Sequence, residues 1–585
     1  MDPTNSLGSI TQGSLNQFCG NLIIEVLARL GVNLIVSSPG SRSTPLILAA
    51  SRNDRISLVS FLDERSGSFY ALGHAKASGK PAVIICTSGT AAANYFPAVI
   101  EAKMSAVPLI VISCDRPFEL RDCSAGQTID QVKLYGTYVN SFKELGLPEN
   151  NTNYFNYLRQ TIVHAYSIST GLLHGPVHLN ASFREPLFSL SKESDSNYEF
   201  HKELNKYSTV ICKFSDVPKP NLSIDRLLLE KVQSHRRGII VVGNAQWISS
   251  ERGDVDALAR LSKKLGWPIL TDVLNPLRNF SKRFTHLITN YNYILKDPLS
   301  IVDLEPTAVL QIGDLPTSKT LRSWLKGVKP SQFILGDGFS NKDPLDNYTI
   351  PLYGTISSLD DALETKNTDE DWLAQWVLFD QKAADYIDSY LQKVDKKFEG
   401  QITYMLSRSV AKGTHIILAN SMSVRYAEEF WSKNDSLCKI HCNRGANGID
   451  GTVSTALGIA ENGAPSILLT GDLAFLHDSN GLLNHHKLDA DILIIVVNNN
   501  GGGIFEHLAI SKDPYFNDYW ATPQNFSLSH FCESLSIKYE CAENLEVISK
   551  IVNQIKGGGV QIIEFKCDRK KDAEILQEVH NLFKI

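Results

Sequence analysis

Short, mostly apolar runs alternate along the chain with longer polar or amphipathic stretches, and most runs end near a Gly, Ser, Asp or Asn. Runs that are apolar throughout are typical of strands covered on both faces, and their alternation with helices favours parallel α/β sheets. The pattern predicts three blocks of strands. The predicted strands lie at 33–41, 56–64, 81–89, 108–115 and 176–182 in the first block, 238–245, 268–272, 308–314 and 332–338 in the second, and 414–421, 466–472, 492–500 and 560–566 in the third.

The segments between the blocks suggest where domains begin and end. The polar stretch 189–206 is expected to be a linker, and charged, helix-prone sequence around 365–400 leads into the third block. We expect an α/β fold of three consecutive doubly wound parallel-sheet domains, at residues 1–188, 207–360 and 395–585. Ligands of such sheets bind beyond the carboxyl ends of the strands, so the polar residues that end the runs are the functional candidates.

Composition narrows the class of protein. The chain has 585 residues, of which 43% are hydrophobic and 21% charged, and its net charge of −6 gives no general attraction to nucleic acid. No apolar run approaches the roughly 18 residues that cross a bilayer, and the first residues lack the basic and apolar segments of a signal peptide. Ten unevenly spaced cysteines are typical of thiols in a reducing compartment. We therefore expect a cytoplasmic protein with neither a nucleic-acid partner nor a membrane span.

Two histidine-containing segments are interpreted as structural. Cys438 and Cys442 in CKIHC could suggest a metal site, but no second pair of matching spacing accompanies them. A strand whose side chains alternate between two faces explains the segment better. His485 and His486 lie within the helix expected between two strands, away from the strand ends.

Residues 470–505 place polar turns after two successive apolar runs. If these runs are neighbouring parallel strands joined by a crossover helix, Asp472 and the turn at 498–501 meet at one edge of the sheet. A carboxylate oxygen, an amide oxygen and a backbone carbonyl are hard ligands suited to Mg²⁺. Gly-Asp and Asn-Gly are also common turns with no function, so the argument depends on both turns standing at strand ends.

The same segment resembles the thiamine-diphosphate (ThDP) enzyme superfamily. Gly-Asp, then residues 474–497, then Asn-Asn is the superfamily's pattern, with Leu473 where many members have a second Gly. The resemblance implies PYR, middle and PP domains in series. It also implies that Asp472, Asn499 and the carbonyl of Gly501 hold Mg²⁺ or Mn²⁺, and that the cofactor contacts Gly471, Leu473 and Ala474.

Thiamine chemistry requires a carboxylic acid to activate the cofactor's aminopyrimidine. In FLDERSGSFYALGHAK, Glu64 ends a predicted strand and opens a helix, as the superfamily's activating glutamate does. Residues Thr87–Asn94 resemble the loop of the PYR domain that abuts the cofactor, and both of its end residues are expected to contact it. The resemblance further implies a homodimer or homotetramer in which Glu64 serves ThDP held by a partner copy. An acidic residue that merely favours a helix N-terminus is the simpler alternative for Glu64 taken alone.

Four further motifs are similar to those of the 2-succinyl-5-enolpyruvyl-6-hydroxy-3-cyclohexene-1-carboxylate synthase family of menaquinone biosynthesis. They are SSPGSRSTPL at 37–46, SCDRPFELRDCSAGQTIDQ at 113–131, CNRGANGIDGTVSTALG at 442–458 and VVNNNGGGIF at 496–505. Members of that family decarboxylate 2-oxoglutarate on ThDP and add the succinyl-semialdehyde carbanion equivalent to isochorismate in a 1,4-addition. The resemblance implies this activity, with both substrates as small-molecule partners.

Both substrates are dianions, so the pocket should present several cations. By the resemblance, Arg425 and Ser421 face the carboxylate derived from 2-oxoglutarate, and Arg42 with Gln127 faces isochorismate. The full substrate-binding set implied is Ser41, Arg42, Arg116, Gln127, Lys319, Ser421, Arg425 and Arg444, and the catalytic set is Glu64, Arg42, Ser421, Arg425, Arg444, Gln127 and Lys319.

Apolar residues complete the expected cofactor site. Ile449, beside Gly448, would bend the cofactor, and Ile504 with Phe505, at the start of a helix, would form a wall against water. Tyr519 and Trp520 are expected to cap the pocket. The chain departs from the family at Gly126, where Asn is common, and at Gly503, where a larger polar residue is common.

Two other functions stay open at this point. Another ThDP-dependent 2-oxoacid decarboxylase or carboligase would have no use for the full set of cations. A non-catalytic ThDP-binding protein would have no need of Glu64.

Overall fold

The computed structural model describes residues 7, 10–189, 198–210, 224–336, 341–365, 368–555 and 557–583. In these residues three six-stranded sheets form, and all paired strands run parallel. The α/β class and the parallel sheets are confirmed. The chain divides into two compact units, of which the first comprises Met1–Lys219, Asn443–Asn462 and His477–Ala490, and the second comprises Pro220–Cys442, Gly463–Leu476 and Asp491–Ile585.

The first sheet belongs to the first unit, and its spatial order is β2-β1-β3-β4-β6-β5. Its strands are β1 (Leu34–Ser37), β2 (Ser57–Ser60), β3 (Ala82–Cys86), β4 (Leu109–Asp115), β5 (Ser141–Glu144) and β6 (Pro176–Ser182).

The other two sheets belong to the second unit, in the orders β12-β11-β10-β7-β8-β9 and β14-β13-β15-β16-β18-β17. Their strands are β7 (Gly238–Val242), β8 (Ile269–Thr271), β9 (Leu287–Ile288), β10 (Ala308–Ile312), β11 (Ser331–Gly336), β12 (Thr349–Tyr353), β13 (His415–Leu418), β14 (Lys439–His441), β15 (Ser466–Gly471), β16 (Ile492–Asn498), β17 (Lys538–Ala542) and β18 (Val560–Lys566).

Helices connect the strands and cover the sheets. They are α1 (Gln12–Leu30), α2 (Thr44–Ser51), α3 (Glu64–Ser78), α4 (Thr90–Asn94), α5 (Phe96–Met104), α6 (Thr152–Thr170), α7 (Tyr198–Tyr207), α8 (Arg226–Ser234), α9 (Asp254–Leu265), α10 (Tyr291–Ile294), α11 (Pro298–Asp303), α12 (Lys319–Val328), α13 (Ile356–Ala362), α14 (Glu370–Leu391), α15 (Glu399–Ser409), α16 (Met422–Phe430), α17 (Thr452–Ala460), α18 (Asp472–His477), α19 (Leu528–Ser534), α20 (Leu545–Val552) and α21 (Arg569–Asn581).

Four strands, β5, β9, β12 and β17, were not predicted from the sequence, and each lies at the edge of its sheet. β5, β12 and β17 carry mainly exposed or half-buried side chains, and β9 has only two residues. Central strands such as β4 are buried throughout. Because an edge strand needs only one covered side, it does not require the apolar run by which the others were recognised. Residues 337–338 of the predicted strand 332–338 lie outside the described residues.

Part of the predicted linker is a helix. Residues 198–206 of the stretch 189–206 belong to α7, so the prediction is wrong there, and residues 190–197 lie outside the described residues. Phe200, Leu204 and Tyr207 pack on the core of the first unit. Their helical spacing outweighs the polar composition of the segment because it places all three side chains on one face. The predicted domain limits remain predictions.

The first unit also recruits two helices from the third block of sequence, α17 and a 3₁₀ helix at Ser479–Lys487, and both contact α3. The approach of α3 and α17 is close, since a Cβ on Gly73 would lie 2.1 Å from the Thr455 carbonyl oxygen. Asp478 is buried there and accepts hydrogen bonds from Ser454 N at 2.6 Å, Ser454 Oγ and Ser66 Oγ. His485 and His486 lie in the 3₁₀ helix, as expected for helical residues.

In the second unit a buried polar network joins the middle sheet to α16. Glu428 on α16 accepts a hydrogen bond from Val273 N at 2.7 Å and forms an ion pair with Arg278 at 3.0 Å. Both charged side chains are buried, and Tyr291 also donates to Glu428. A buried charge pair of this kind fixes the position of the helix because breaking it leaves an uncompensated charge. Among the described helices, none has the length and apolar composition needed to cross a bilayer.

Candidate cofactor and active site

The two polar turns of residues 470–505 meet at one edge of the third sheet. β15 and β16 are neighbouring parallel strands, paired from Ser466↔Ile492 to Gly471↔Val497. Asp472 follows β15 directly and begins α18, and its Oδ2 accepts a hydrogen bond of 2.8 Å from Gly501 N. The predicted adjacency of the two turns is confirmed.

Asn499 lies in the same turn and leaves one polar atom unused. The side chain is buried, its Nδ2 lies 3.5 Å from Glu399 Oε2, and its Oδ1 has no hydrogen-bond partner among the described residues. Desolvation raises the pKa of the Asp472 carboxyl to about 6. A buried acceptor without a donor, beside a desolvated carboxyl, is costly unless a cation binds both. The donor set fits a hard divalent ion.

The glycines of this turn lie close to the backbone of a later segment, which ends at Ala521. Gly501 has φ +128°, and a Cβ there would lie 2.2 Å from the Ala521 carbonyl oxygen, which accepts a hydrogen bond of 2.7 Å from Gly502 N. Residues Asn517–Ala521 form a π-helical turn, called here the cap segment. Its backbone therefore covers the turn at 498–501, the predicted metal-binding turn, while the Tyr519 side chain is 72% exposed.

Ile504 and Phe505 follow the turn on a single 3₁₀ helix, Gly503–His507, rather than at the start of a longer helix. Both are half-buried. Gly471 and Leu473 flank Asp472 and are half-buried, and Ala474 is buried on α18. Gly471, Leu473 and Ala474 therefore adjoin Asp472 at the end of β15, and Ile504 with Phe505 follows the turn that contacts Asp472.

Ser421 and Arg425 stand at the end of the neighbouring strand β13. Ser421 precedes α16 with φ +73° and ψ −123°, a conformation that non-glycine residues rarely adopt and that costs about 1–3 kcal/mol. Arg425, one turn later, folds back and donates from Nη1 to the Ser421 carbonyl at 2.5 Å. The Glu428–Arg278 network anchors the same helix. Lys319, also in the second unit, is exposed as the first residue of α12.

Glu64 lies in the first unit and is the first residue of α3, as predicted. Asp63 caps the helix by accepting from Arg65 N at 2.9 Å, which leaves the Glu64 carboxylate free of the capping role. Asn94 Nδ2, at the end of α4, lies 3.5 Å from Glu64 Oε2. Two of the predicted cofactor residues of the first unit, Glu64 and Asn94, are therefore neighbours.

Arg42 is buried and largely satisfied by its own chain. Its Nη1 donates to the Phe183 carbonyl at 2.9 Å and its Nη2 pairs with Glu185 at 2.9 Å, while Nε has no partner among the described residues. Its backbone N lies 3.3 Å from Thr87 Oγ1. Ser41, beside it, is exposed. The residue predicted to bind a substrate carboxylate is thus held by a carboxylate of the protein.

Gln127 lies against the loop that follows β3. Its Nε2 donates to the Ser88 carbonyl at 3.1 Å, and Ser88 Oγ donates to the Gln127 carbonyl at 3.0 Å. Arg116 donates to the carbonyl of Gly126, the departure noted above, at 3.1 and 3.3 Å. The backbone at position 126 therefore engages Arg116 even though the side chain common in the family is missing.

The loop that carries Arg444 is fixed within the first unit. Glu101, buried on α5, accepts from Gly445 N at 3.0 Å and Ala446 N at 2.8 Å, and pairs with Lys76 at 3.3 Å. Gly448 and Ile449 follow, both half-buried, before α17 begins. Cys438 and Cys442 are buried on either side of β14, so the strand interpretation of CKIHC is confirmed.

Sequence reasoning missed four polar residues that organise these loops: Glu101, Gln131, Glu399 and Arg569. Gln131 accepts a hydrogen bond of 2.9 Å from Gly89 N. Glu399 Oε2 lies 3.5 Å from Asn499 Nδ2, and Arg569 donates to the carbonyl of Asn500 at 2.6 Å. Glu101 lies among apolar residues in FPAVIEAKM, which is a usable signal for a buried charge. The other three stand in segments with no comparable pattern.

Family comparisons agree with the three sheets. The thiamine pyrophosphate enzyme N-terminal TPP binding domain matches residues 19–134, the middle domain matches 220–417, and the C-terminal TPP binding domain matches 422–565. Thiamine pyrophosphate is another name for ThDP.

Curated relatives match almost the whole chain. Those named 2-succinyl-5-enolpyruvyl-6-hydroxy-3-cyclohexene-1-carboxylate synthase include proteins of Gloeothece citriformis, 42% identical over 567 residues (96% of this chain, 97% of the relative), and of Rippkaea orientalis, 42% over 572 residues (97% and 96%). A protein of Nostoc sp. with the same name is 41% identical over 573 residues (97% of each chain). The chain therefore belongs to the family of 2-succinyl-5-enolpyruvyl-6-hydroxy-3-cyclohexene-1-carboxylate synthases, within the thiamine pyrophosphate enzymes.

Proposed function

We propose that this protein decarboxylates 2-oxoglutarate and adds the resulting succinyl-semialdehyde carbanion equivalent to isochorismate, with ThDP and Mg²⁺ or Mn²⁺. The product is the compound after which its relatives are named, an intermediate of menaquinone biosynthesis. The observation that carries the proposal is that Asn499 Oδ1, in the turn that contacts Asp472, has no partner in the part of the chain that the structure describes, in a chain of this family. A protein that had lost the cofactor would have no reason to keep a buried acceptor without a donor.

The metal would be held by Asp472, Asn499 and the Gly501 carbonyl, and it would fasten the cofactor's diphosphate. Gly471, Leu473 and Ala474 surround Asp472 and are the contacts proposed for the diphosphate end. When bound, ThDP supplies a carbon nucleophile and an electron sink that no side chain provides. The chain's own residues then bind, orient and shield the reacting groups.

Glu64 is proposed to hold or share a proton with the cofactor's aminopyrimidine. Asn94, 3.5 Å away, would keep the carboxylate oriented. A general acid must stand within hydrogen-bond reach of its partner, and the first turn of α3 fixes the carboxylate for that purpose. We also propose that the working form is a homodimer or homotetramer in which Glu64 serves the cofactor of a partner copy. Thr87, Ser421, Gly448 and Ile449 are further proposed cofactor contacts.

The substrate carboxylates would be bound by cations at the strand ends. Arg425 and Ser421 are proposed for the 2-oxoglutarate side, and the fixed backbone of Ser421 supports this because strained residues cluster at functional sites. Arg42 and Gln127 are proposed for isochorismate. Since Glu185 is 72% exposed, an incoming carboxylate could replace it at the Arg42 guanidinium. Ser41, Arg116, Lys319 and Arg444 complete the proposed substrate set.

Ile504 and Phe505 are proposed to keep water from the reacting carbon. Both side chains are half-buried next to the metal-binding turn, where a protonating water would end the reaction before isochorismate is added. The nine cysteines in the described part of the chain are free thiols, which supports a cytoplasmic location.

The proposal is tested by incubating the protein with 2-oxoglutarate, isochorismate, ThDP and Mg²⁺ and detecting the product by mass. We expect product only with all four components, slow 2-oxoglutarate turnover when isochorismate is left out, and loss of activity on EDTA that Mg²⁺ or Mn²⁺ restores. A better donor among a panel of 2-oxoacids would indicate a different ThDP carboligase. No turnover with any donor, together with ThDP binding, would indicate a non-catalytic protein.

A further inference from the structure

One arginine outside the predicted site contacts three segments that surround it. Arg569 is the first residue of α21, and all three nitrogens of its guanidinium donate hydrogen bonds. Nε donates to Glu506 Oε1 at 2.7 Å, Nη1 to the Asn500 carbonyl at 2.6 Å and Nη2 to Asn517 Oδ1 at 2.6 Å. The Arg569 and Glu506 side chains are only 11% and 7% exposed.

Each contact reaches a different part of the metal-binding region. Asn500 lies between the two proposed ligands Asn499 and Gly501, with φ +62°. Glu506 follows Ile504 and Phe505 on the 3₁₀ helix. Asn517 begins the cap segment, whose last carbonyl, at Ala521, accepts a hydrogen bond from Gly502 N. The guanidinium therefore joins the metal-binding turn, the apolar wall and the cap segment.

We propose that Arg569 is a positioning residue that couples metal binding to closure of the cap segment. This inference rests on the proposed function. A planar guanidinium can satisfy three acceptors in one plane, and lysine cannot reproduce that geometry. The contact with Asn500 fixes the peptide that separates two ligands, so movement of the turn around a metal moves the guanidinium. The contact with Asn517 passes that movement to the cap segment.

The main experiment measures metal binding and cap protection in Arg569→Gln. Mn²⁺ binding in the presence of ThDP is followed by electron paramagnetic resonance, and hydrogen exchange of residues 517–521 is measured with and without Mn²⁺. For the wild type we expect Mn²⁺ to slow exchange in the cap segment. For Arg569→Gln we expect the Mn²⁺ Kd to rise at least about tenfold, as for other residues that orient metal ligands, and the Mn²⁺-dependent protection to disappear.

The matched control is Lys570→Gln, which removes the same charge from the next residue of α21, where the side chain is exposed. We expect its Mn²⁺ Kd and its cap protection to match the wild type. Arg569→Lys should behave like Arg569→Gln, since it keeps the charge and loses the geometry. In Arg569→Ala, millimolar guanidinium should lower the Mn²⁺ Kd, while the same addition should leave Lys570→Gln unchanged.

Asn517→Ala keeps the test informative if Arg569 variants do not fold. This variant removes only the hydrogen bond between Arg569 and the cap segment. We therefore expect the Mn²⁺-dependent protection to be lost while the Mn²⁺ Kd rises less than in Arg569→Gln. Cap protection that persists in Asn517→Ala, or wild-type Mn²⁺ affinity in folded Arg569→Gln, would overturn the coupling. A wild type that binds no Mn²⁺ with ThDP would instead overturn the proposed function, and this inference with it.

Discussion

The first and third sheets share one topology and differ in how their strand ends are satisfied. In each, the second strand of the block lies at one edge and the fifth at the other, whereas the middle sheet follows another order. At the ends of β1 and β3 in the first sheet, the chain supplies most of the partners: Arg42 pairs with Glu185, although its Nε has none in the described chain, and Gly89 N donates to Gln131. At the end of β16 in the third sheet, the buried Asn499 Oδ1 has no such partner in the described chain.

Topology therefore places functional loops, and side chains decide what binds them. A strand-end site that is closed by its own hydrogen bonds can orient an organic group or exchange one carboxylate for another. A site that keeps a desolvated carboxyl and an unpaired amide oxygen is stabilised when a cation binds to both. The comparison predicts that substitutions at the strand ends of the first sheet and of the third sheet have different effects.

The largest effect is expected for Asp472→Asn. Removing the charged ligand should raise the Mn²⁺ Kd more than about 100-fold and abolish turnover, since even residues behind the ligands contribute 10- to 100-fold. The thermal midpoint of the metal-free protein should stay close to that of the wild type, because the loss of one acceptor for Leu473 N or Gly501 N offsets the removal of a carboxyl that burial disfavours. Mn²⁺ titration and calorimetry check both points, with the exposed Asp361→Asn as control. Unchanged Mn²⁺ affinity would refute the ligand assignment.

Glu64→Gln should impair the proposed function of the first sheet's strand ends and leave metal binding at the third sheet unchanged. We expect the exchange of the C2 proton of bound ThDP, followed by NMR in deuterated water, to slow about 100-fold, within the range of general acid–base catalysis. Mn²⁺ affinity should stay within about twofold of the wild type. If Glu64→Gln exchanged the proton at the wild-type rate, the carboxylate would serve only the start of α3, the simpler alternative raised from the sequence.

The central strands and the facing turns were accessible from the sequence because both leave strong patterns. β4 and β16 are buried on both faces and therefore apolar, and Asp472 follows its strand directly. The edge strands β5 and β17 were not accessible, since half-exposed strands carry no such pattern. Helix α7 was not recognised because polar residues separate its three core-facing positions, Phe200, Leu204 and Tyr207.

The residues that support the site were harder to predict than the proposed metal ligands. Asn499 has a spacing relative to Asp472 that can be recognised, whereas Glu399 reaches Asn499 from another helix, 100 positions earlier in the chain. Arg569 reaches the same turn from a helix 69 positions later. Contacts of this kind depend on tertiary packing, and a single sequence does not encode them in local spacing.

A smaller effect is expected when a methyl group is added to the proposed metal-binding turn. In Gly501→Ala the new Cβ would lie 2.2 Å from the Ala521 carbonyl oxygen, and alanine would have to adopt a φ of +128°. The variant should therefore displace the cap segment and raise the Mn²⁺ Kd about tenfold. Gly126→Ala is the matched control in the first unit, since a Cβ there meets nothing within 4 Å. Mn²⁺ titration of both variants checks the prediction. Equal affinities would show that the turn tolerates displacement of its cover.

The smallest effect concerns Asp478, a buried carboxyl that its own chain satisfies. Burial raises its pKa from 3.8 to about 6 in the folded protein, so it binds its proton more tightly when folded. Its contribution to stability is complete below about pH 4 and is lost as the pH rises through 6. The thermal midpoint of the wild type should therefore fall by about 2 °C relative to Asp478→Asn between pH 4.5 and 7.

This fall should be the same with and without Mg²⁺, because Ser454 and Ser66, rather than a metal, supply the partners of Asp478. Calorimetry at four pH values, each with Mg²⁺ or EDTA, separates the proton from the metal. A fall that Mg²⁺ removed would make Asp478 part of a cation site and erase the contrast between the two units. A fall indifferent to Mg²⁺ would confine the demand for a cation to the strand ends that hold Asp472 and Asn499.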